Sequence, residues 1–150
     1  MENSLMFRYG ALIALVLILY FLALSAVDLH LAPGFSLFNG MILGAGMYFG
    51  MRHFKRVTFP NFTYTNGFAA GLGMGSTATF LFTLFFWVYA TEISPTFLDE
   101  LLASYVGSQE IGTGMVIFTV GIMGLSSTLV LALTLMQGFK VSNNLSVPNS

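Results

Sequence analysis

Charge is scarce in this chain and cysteine is absent. Only 7% of the 150 residues are Asp, Glu, Lys or Arg, where a water-soluble domain carries about 25%. So little polar surface cannot coat a globule in water, so lipid is the solvent in which the chain folds. The lack of cysteine removes disulfides, thiolate catalysis and thiolate-held metals or clusters. With a net charge of −1 and no basic block, nothing can track a nucleic-acid backbone, so no nucleic-acid partner is expected. The 2 histidines, His30 and His53, fall on opposite sides of the expected membrane and cannot share a metal. Both read as solvated loop residues. Asp28 and His30, in one connection, are too few to define a metal or proton-relay site. No Asp, Glu, Lys, Arg or His lies near the middle of a hydrophobic run, which argues against a proton-coupled exporter. The sequence therefore predicts a non-enzyme without a cofactor or metal.

What is present is apolar: 56% hydrophobic, 15% aromatic, mean hydropathy +0.83. A bilayer crossing takes about 20 apolar residues, and four runs suit it: 9–27, 35–51, 67–89 and 111–136. The first exceeds the roughly 7–15 residues of a signal-peptide core and is followed by further spans, so it reads as an uncleaved helix. Pro33-Gly34 marks a tight turn before the second run. Residues 57–66, with Pro60-Asn61, read as a loop. Ser94-Pro95 is a helix-start signal. From 95 to 106, Phe97, Leu98, Leu101, Leu102, Tyr105 and Val106 share one helical face, and Asp99, Glu100 and Ser104 take the other. This segment is too short and too acidic to span, and is expected to lie on the membrane. Residues 141–150 form a polar tail expected to fray. The predicted fold is a single all-α membrane domain: a four-transmembrane-helix bundle with a short amphipathic interfacial helix between helices three and four.

Charge placement predicts orientation. With the N-terminus inside, Arg8, Arg52, Lys55, Arg56 and Lys140 all fall on the cytoplasmic side, and Asp28, Glu92, Asp99, Glu100 and Glu110 fall outside. That is the positive-inside pattern, with both termini cytoplasmic. Trp87 and Tyr89 then form an outer interface belt. Arg52, Lys55 and Arg56, interleaved with Phe54, Phe59 and Phe62, suit anionic lipid headgroups, with a cytoplasmic partner as the other use of the cluster.

The run 67–89 organises the rest. Gly67, Gly71, Gly75, Thr79 and Thr83 recur every fourth residue, and bulky Phe, Trp and Tyr follow. Small residues at this spacing let helix backbones approach closely, which in lipid replaces the hydrophobic drive. With small residues on two faces, this helix is expected at the centre. Its glycine-rich half is expected against Gly44, Gly46 and Gly50 of the second run, where Gly40, in register with Gly44, is a further expected packing residue. A second ridge, Ala69, Gly73 and Thr77, is expected opposite Gly124, Thr128 and Ala132 of the fourth, which also holds Gly121. Packing within one chain is favoured over a homodimer seam. Gly71-Leu-Gly-Met-Gly-Ser76 lacks the strand and lysine of a phosphate-binding loop.

Three stretches together resemble the bacterial inner-membrane family known as domain of unknown function 4199: Arg8-Tyr-Gly; Phe62-Thr-Tyr-Thr-Asn-Gly-Phe-Ala-Ala-Gly71; and Ile93-Ser-Pro-Thr-Phe97 followed by Asp99-Glu100. The resemblance implies four helices in a bacterial inner membrane and brings no catalytic residue. The expected role is a non-catalytic accessory, scaffold or assembly subunit of a larger membrane complex. Its partners would be the lipid bilayer and other membrane subunits or a second copy, with Phe97, Leu101, Asp99 and Glu100 as a possible partner contact. The alternative is a small oligomeric channel or transporter for a neutral or lipophilic solute, lined by Ser and Thr.

Overall fold

The computed structural model describes residues 2–27, 33–94, 96–105 and 112–139, and among these every regular element is helical. Asp28, His30, Pro95, Val106, Gly107, Glu110, Lys140 and the 141–150 tail lie outside the described residues. The helices are α1 (Glu2–Ala26), α2 (Pro33–Thr58), α3 (Tyr64–Val88), a π-helical turn (Tyr89–Ile93), α4 (Thr96–Tyr105) and α5 (Thr113–Phe139).

Most helices outrun the apolar segments that predicted them. α1 starts at Glu2, not Tyr9, because nothing in the polar head breaks a helix. α2 starts on Pro33, whose fixed φ suits a first helical position. It then continues through Arg52–Thr58 until Pro60 approaches. The expected 57–66 loop thereby shrinks to residues 59–63. Thr63 starts α3: its backbone is extended (φ −114°, ψ 160°) and its side-chain oxygen accepts the Asn66 N–H at 3.2 Å, the geometry of an N-cap. α5 runs on to Phe139.

Among the described residues, three helices are long and apolar enough to cross a membrane: Ser4–Ala26, Tyr64–Ile93 and Thr113–Phe139. The expectation of four is not met on that ground. α2 has the length, 26 residues, but Asn39 and the basic residues of its last two turns dilute its apolar run.

α3 is the hub and touches α1, α2 and α5. Contacts between Gly10 and Thr77, and between Phe21 and Phe86, make α1 and α3 parallel. Contacts of Gly46 with Ile13 and Gly50 with Tyr9, and of Gly75 with Thr128 and Gly67 with Met136, make α2 and α5 antiparallel to them. The bundle is thus up-down-up-down.

The small-residue ridges change partners relative to expectation. The Gly67 ridge packs chiefly on α5. A side-chain carbon added at Gly67 would lie 2.9 Å from Met136 Sδ, one at Gly71 3.4 Å from Ala132, and one at Gly75 would overlap Thr128. From α5, a carbon at Gly124 would lie 2.5 Å from Thr79, and one at Gly121 3.7 Å from Thr83. Helix α2 also meets α3, with Met51 Sδ 3.1 Å from a carbon at Gly71 and Met74 Sδ 2.6 Å from one at Gly50. The Gly73–Thr77 ridge faces α1, not α5: Gly73 meets Met6, and a carbon at Gly10 would lie 2.6 Å from Thr77 Cβ and 2.8 Å from the Met74 carbonyl oxygen. The reason is geometric. Two seams set apart around one helix need two neighbours, and the bundle puts α1 and α5 there. Gly44 meets Leu131 of α5, whereas Gly40 has nothing within 4 Å and is not a packing residue.

Gly75→Ile forces new atoms into a closed seam and should destabilise the protein by roughly 1–3 kcal/mol, as overpacking does. Gly40→Ala adds a carbon in open space and replaces a poor helix former, and should be neutral or stabilising by up to about 1 kcal/mol. Unfolding of both variants in detergent micelles checks the contrast.

Candidate functional site

The two ends of the bundle differ in chemistry. At the end holding the α3–α4 connection, the π-helical turn closes with the Ser94 N–H on the Tyr89 carbonyl at 2.9 Å. The wide turn redirects the chain, so Phe97 and Leu98 of α4 fold back and are buried. Phe97 meets Tyr89 (ring centres 5.5 Å), Phe86 (5.8 Å) and Phe21 (5.9 Å). Phe21 of α1 sits among these rings, 4.9 Å from Tyr89 and nearly perpendicular to it. Such edge-to-face pairs are favourable beyond the area they bury. The Tyr89 hydroxyl pairs with the Ser25 hydroxyl.

This cluster corrects two expectations. Tyr89 is only 6% exposed and is an internal residue, while Trp87 alone faces outward at 52%. Phe97, at 2%, is spent on its own bundle and is not free for a partner. Asp99 and Glu100 are exposed, and the Leu101 side chain lies outside the described part. Thr91 closes on the Trp87 carbonyl at 3.0 Å.

At the other end stand Arg52, His53, Lys55 and Arg56, in the last turns of α2 and not in a loop. They do not act as one cluster. Lys55 Nζ donates to the Phe139 carbonyl at 3.2 Å and lies 5.4 Å and 5.7 Å from the ring centres of Phe62 and Phe139. It satisfies a terminal carbonyl of α5 at the negative end of that helix's dipole and gains cation–π attraction. Arg52 and Arg56 are exposed. His53 Nδ1 lies 2.7 Å from the Tyr9 hydroxyl, and its ring meets the Tyr9 ring edge-on. Two cavities flank the arginines. One, about 410 Å³, is lined by Tyr9, Phe49, Arg52, His53 and Arg56. The other, about 490 Å³, has Tyr48, Phe59 and Phe139 around Arg52, Lys55 and Arg56.

Between the ends, the hydroxyls serve packing. Thr77, Thr119 and Thr134 bond the carbonyl four residues back at 2.8 Å each. The Thr79 and Thr128 oxygens lie 3.4 Å apart in the α3–α5 seam. Asn39 Oδ1 and Thr83 Oγ1 are buried without a hydrogen-bond partner among the described residues. Among those residues, no three His, Asp or Glu side chains gather as a metal site would require.

The model of a family described as a protein of unknown function, DUF4199, matches residues 8–137. The chain belongs to the DUF4199 family. No curated protein and no solved structure matches it. The family match covers both seams, the aromatic cluster and the arginine pair. Two features of this DUF4199 chain that the apolar runs do not show have local signals: Thr63 precedes the first turn of α3 as an N-cap residue, and Tyr89 falls on the face of Phe82, Phe85 and Phe86.

In a Ser25→Ala, Tyr89→Phe double-mutant cycle, unfolding should show a coupling of about 1 kcal/mol. Phe97→Ala should cost roughly 3–5 kcal/mol, the range for a buried aromatic. Additive single mutants would contradict the hydroxyl pair.

Proposed function

We propose that this DUF4199 protein is a non-catalytic accessory or assembly subunit of a bacterial inner membrane, with four crossing helices and both termini cytoplasmic. The basic residues of α1 and α2 share one end of the bundle and the carboxylates of Glu92, Asp99 and Glu100 the other, which supports that orientation by the positive-inside rule. α2 is included as the fourth span because it runs the same bundle in the opposite sense to α1 and α3. Closed helical backbone is the form a lipid environment demands.

The observation that carries the accessory role is the division of α5. One side, Thr128, Ala132 and Met136, is buried in the seam. The other leaves Met115, Phe118, Met123 and Val130 each more than 60% exposed. This apolar face can meet lipid or another subunit's helix. The channel reading has one point in its favour, the unpartnered buried oxygen of Thr83. Against it, Thr79 is in contact with Gly124 and Thr128, inside the seam and not along an opening.

Purification in gentle detergent at native expression level should bring down stoichiometric membrane partners; a lone monodisperse species contradicts the accessory role. Topology is tested on the cysteine-free background. A membrane-impermeant maleimide should label Asp99→Cys in intact cells, and Arg56→Cys only after permeabilisation. The reverse pattern contradicts the orientation.

A further inference from the structure

We propose that the α1–α2 interface at the basic end binds one anionic glycerophospholipid, its phosphate held by Arg52, Arg56 and His53 and one acyl chain laid in the groove that opens below them. The inference rests on the membrane reading above and deepens it from general headgroup attraction to a defined site.

The site has two compartments that share walls. The polar cavity of about 410 Å³ has three cation or N–H donor side chains in its lining, with no carboxylate among them. Arg52 and Arg56 are one helical turn apart, an arrangement of like charges that is mildly unfavourable unless an anion lies between them. A phosphate can accept paired N–H donors from both guanidinium forks. When the Tyr9 hydroxyl donates to His53 Nδ1, the ring proton sits on Nε2 and adds a further donor. Lys55, held on the Phe139 carbonyl, is already committed elsewhere, which leaves the arginines as the charge for a ligand.

Tyr9 and Phe49 also line a third cavity, of about 350 Å³. Beyond them its walls are Leu12, Ile13 and Val16 on α1 and Ile42, Ala45 and Gly46 on α2. From Tyr9 to Val16 and from Phe49 to Ile42, the groove runs on the order of 10 Å towards the middle of the bundle. Gly46 lets the two backbones close to form its floor, since a side-chain carbon there would lie 2.5 Å from Ile13. Ala45 keeps one wall low between Ile42 and Phe49. A soluble anion has no use for this groove, and a zwitterionic lipid, whose own ammonium offsets its phosphate, leaves the two arginines without a net counter-charge. A single ligand with a phosphate joined to a hydrocarbon chain uses both.

The test is native mass spectrometry of the full chain released from nanodiscs, with phosphatidylglycerol and phosphatidylcholine in equal amounts. Retention of phosphatidylglycerol should exceed that of phosphatidylcholine by about tenfold or more, and Arg52→Gln with Arg56→Gln should remove the preference. Ala45→Trp, which fills the groove and leaves the arginines intact, should weaken retention of the lipid. Excess glycerol 3-phosphate should not displace it. Equal retention of the two lipids, no effect of Ala45→Trp, or displacement by glycerol 3-phosphate each overturns the proposal; the last identifies a free-anion site. Protein that fails to enter nanodiscs contradicts the membrane reading instead, so the two failures are distinct.

Discussion

The close approach of the α3 backbone to α1 and α5 is the contact on which the rest of the bundle depends. Hydrocarbon tails are as apolar as leucine, so helices in lipid gain little from burying apolar side chains against each other; they gain from tight contact. Glycine, alanine and threonine on two faces of α3 make that contact available on both sides at once. On the α1 side the approach is close enough that a carbon at Gly10 would meet the α3 main chain itself. Flexible methionines, Met51, Met74 and Met136, fill the gaps beside the seams, and four aromatic rings are kept apart from them. The rings collect at the end of α3, where Phe21, Phe86, Tyr89 and Phe97 fill the space left as the helices part.

The same constraint separates the functions of the surfaces. With the seams closed by small residues and their hydroxyls turned inward, the exposed surface divides into three kinds. The outward face of α5 is apolar, the α4 end is acidic, and the end of α2 is basic. The last has shape as well as charge, because α1 and α2 meet at Gly46 and leave a groove beneath Arg52. Membership of the DUF4199 family covers this whole arrangement and assigns no chemistry to it.

Much of the fold was legible in the sequence. The apolar runs gave the long helices, the fourfold spacing of Gly67, Gly71, Gly75, Thr79 and Thr83 gave a central α3, and Ser94-Pro95 with its acidic-apolar pattern gave α4. Hydropathy failed at the helix ends, because polar residues such as Arg52–Thr58 continue a helix that began in an apolar run. Three of the four expected spans are long and apolar enough by hydropathy, and α2 matches the others in length but not in apolar character. Partner choice is not legible: spacing shows that a face is small but not which neighbour fills it. The Gly67 ridge takes α5 beside the expected α2, and the Gly73 ridge takes α1 in place of α5. Tyr89 was misplaced for a related reason. A tyrosine near a helix end suits a lipid interface or a buried hydroxyl pair equally well, and only the fold-back of α4 distinguishes them. The groove beside Arg52 depends on the meeting of two helices distant in sequence, which no linear pattern records.

The α3 seam is closed within a single chain by α5. Because the chain has no cysteine, this closure can be tested by one cross-link. A carbon at Gly124 would lie 3.3 Å from Thr79 Cβ, near the roughly 3.5–4.5 Å that a disulfide requires. Oxidation of the Thr79→Cys, Gly124→Cys double variant in native membranes should give a cross-linked monomer on a non-reducing gel. A covalent dimer, or the absence of any cross-link, would contradict the account.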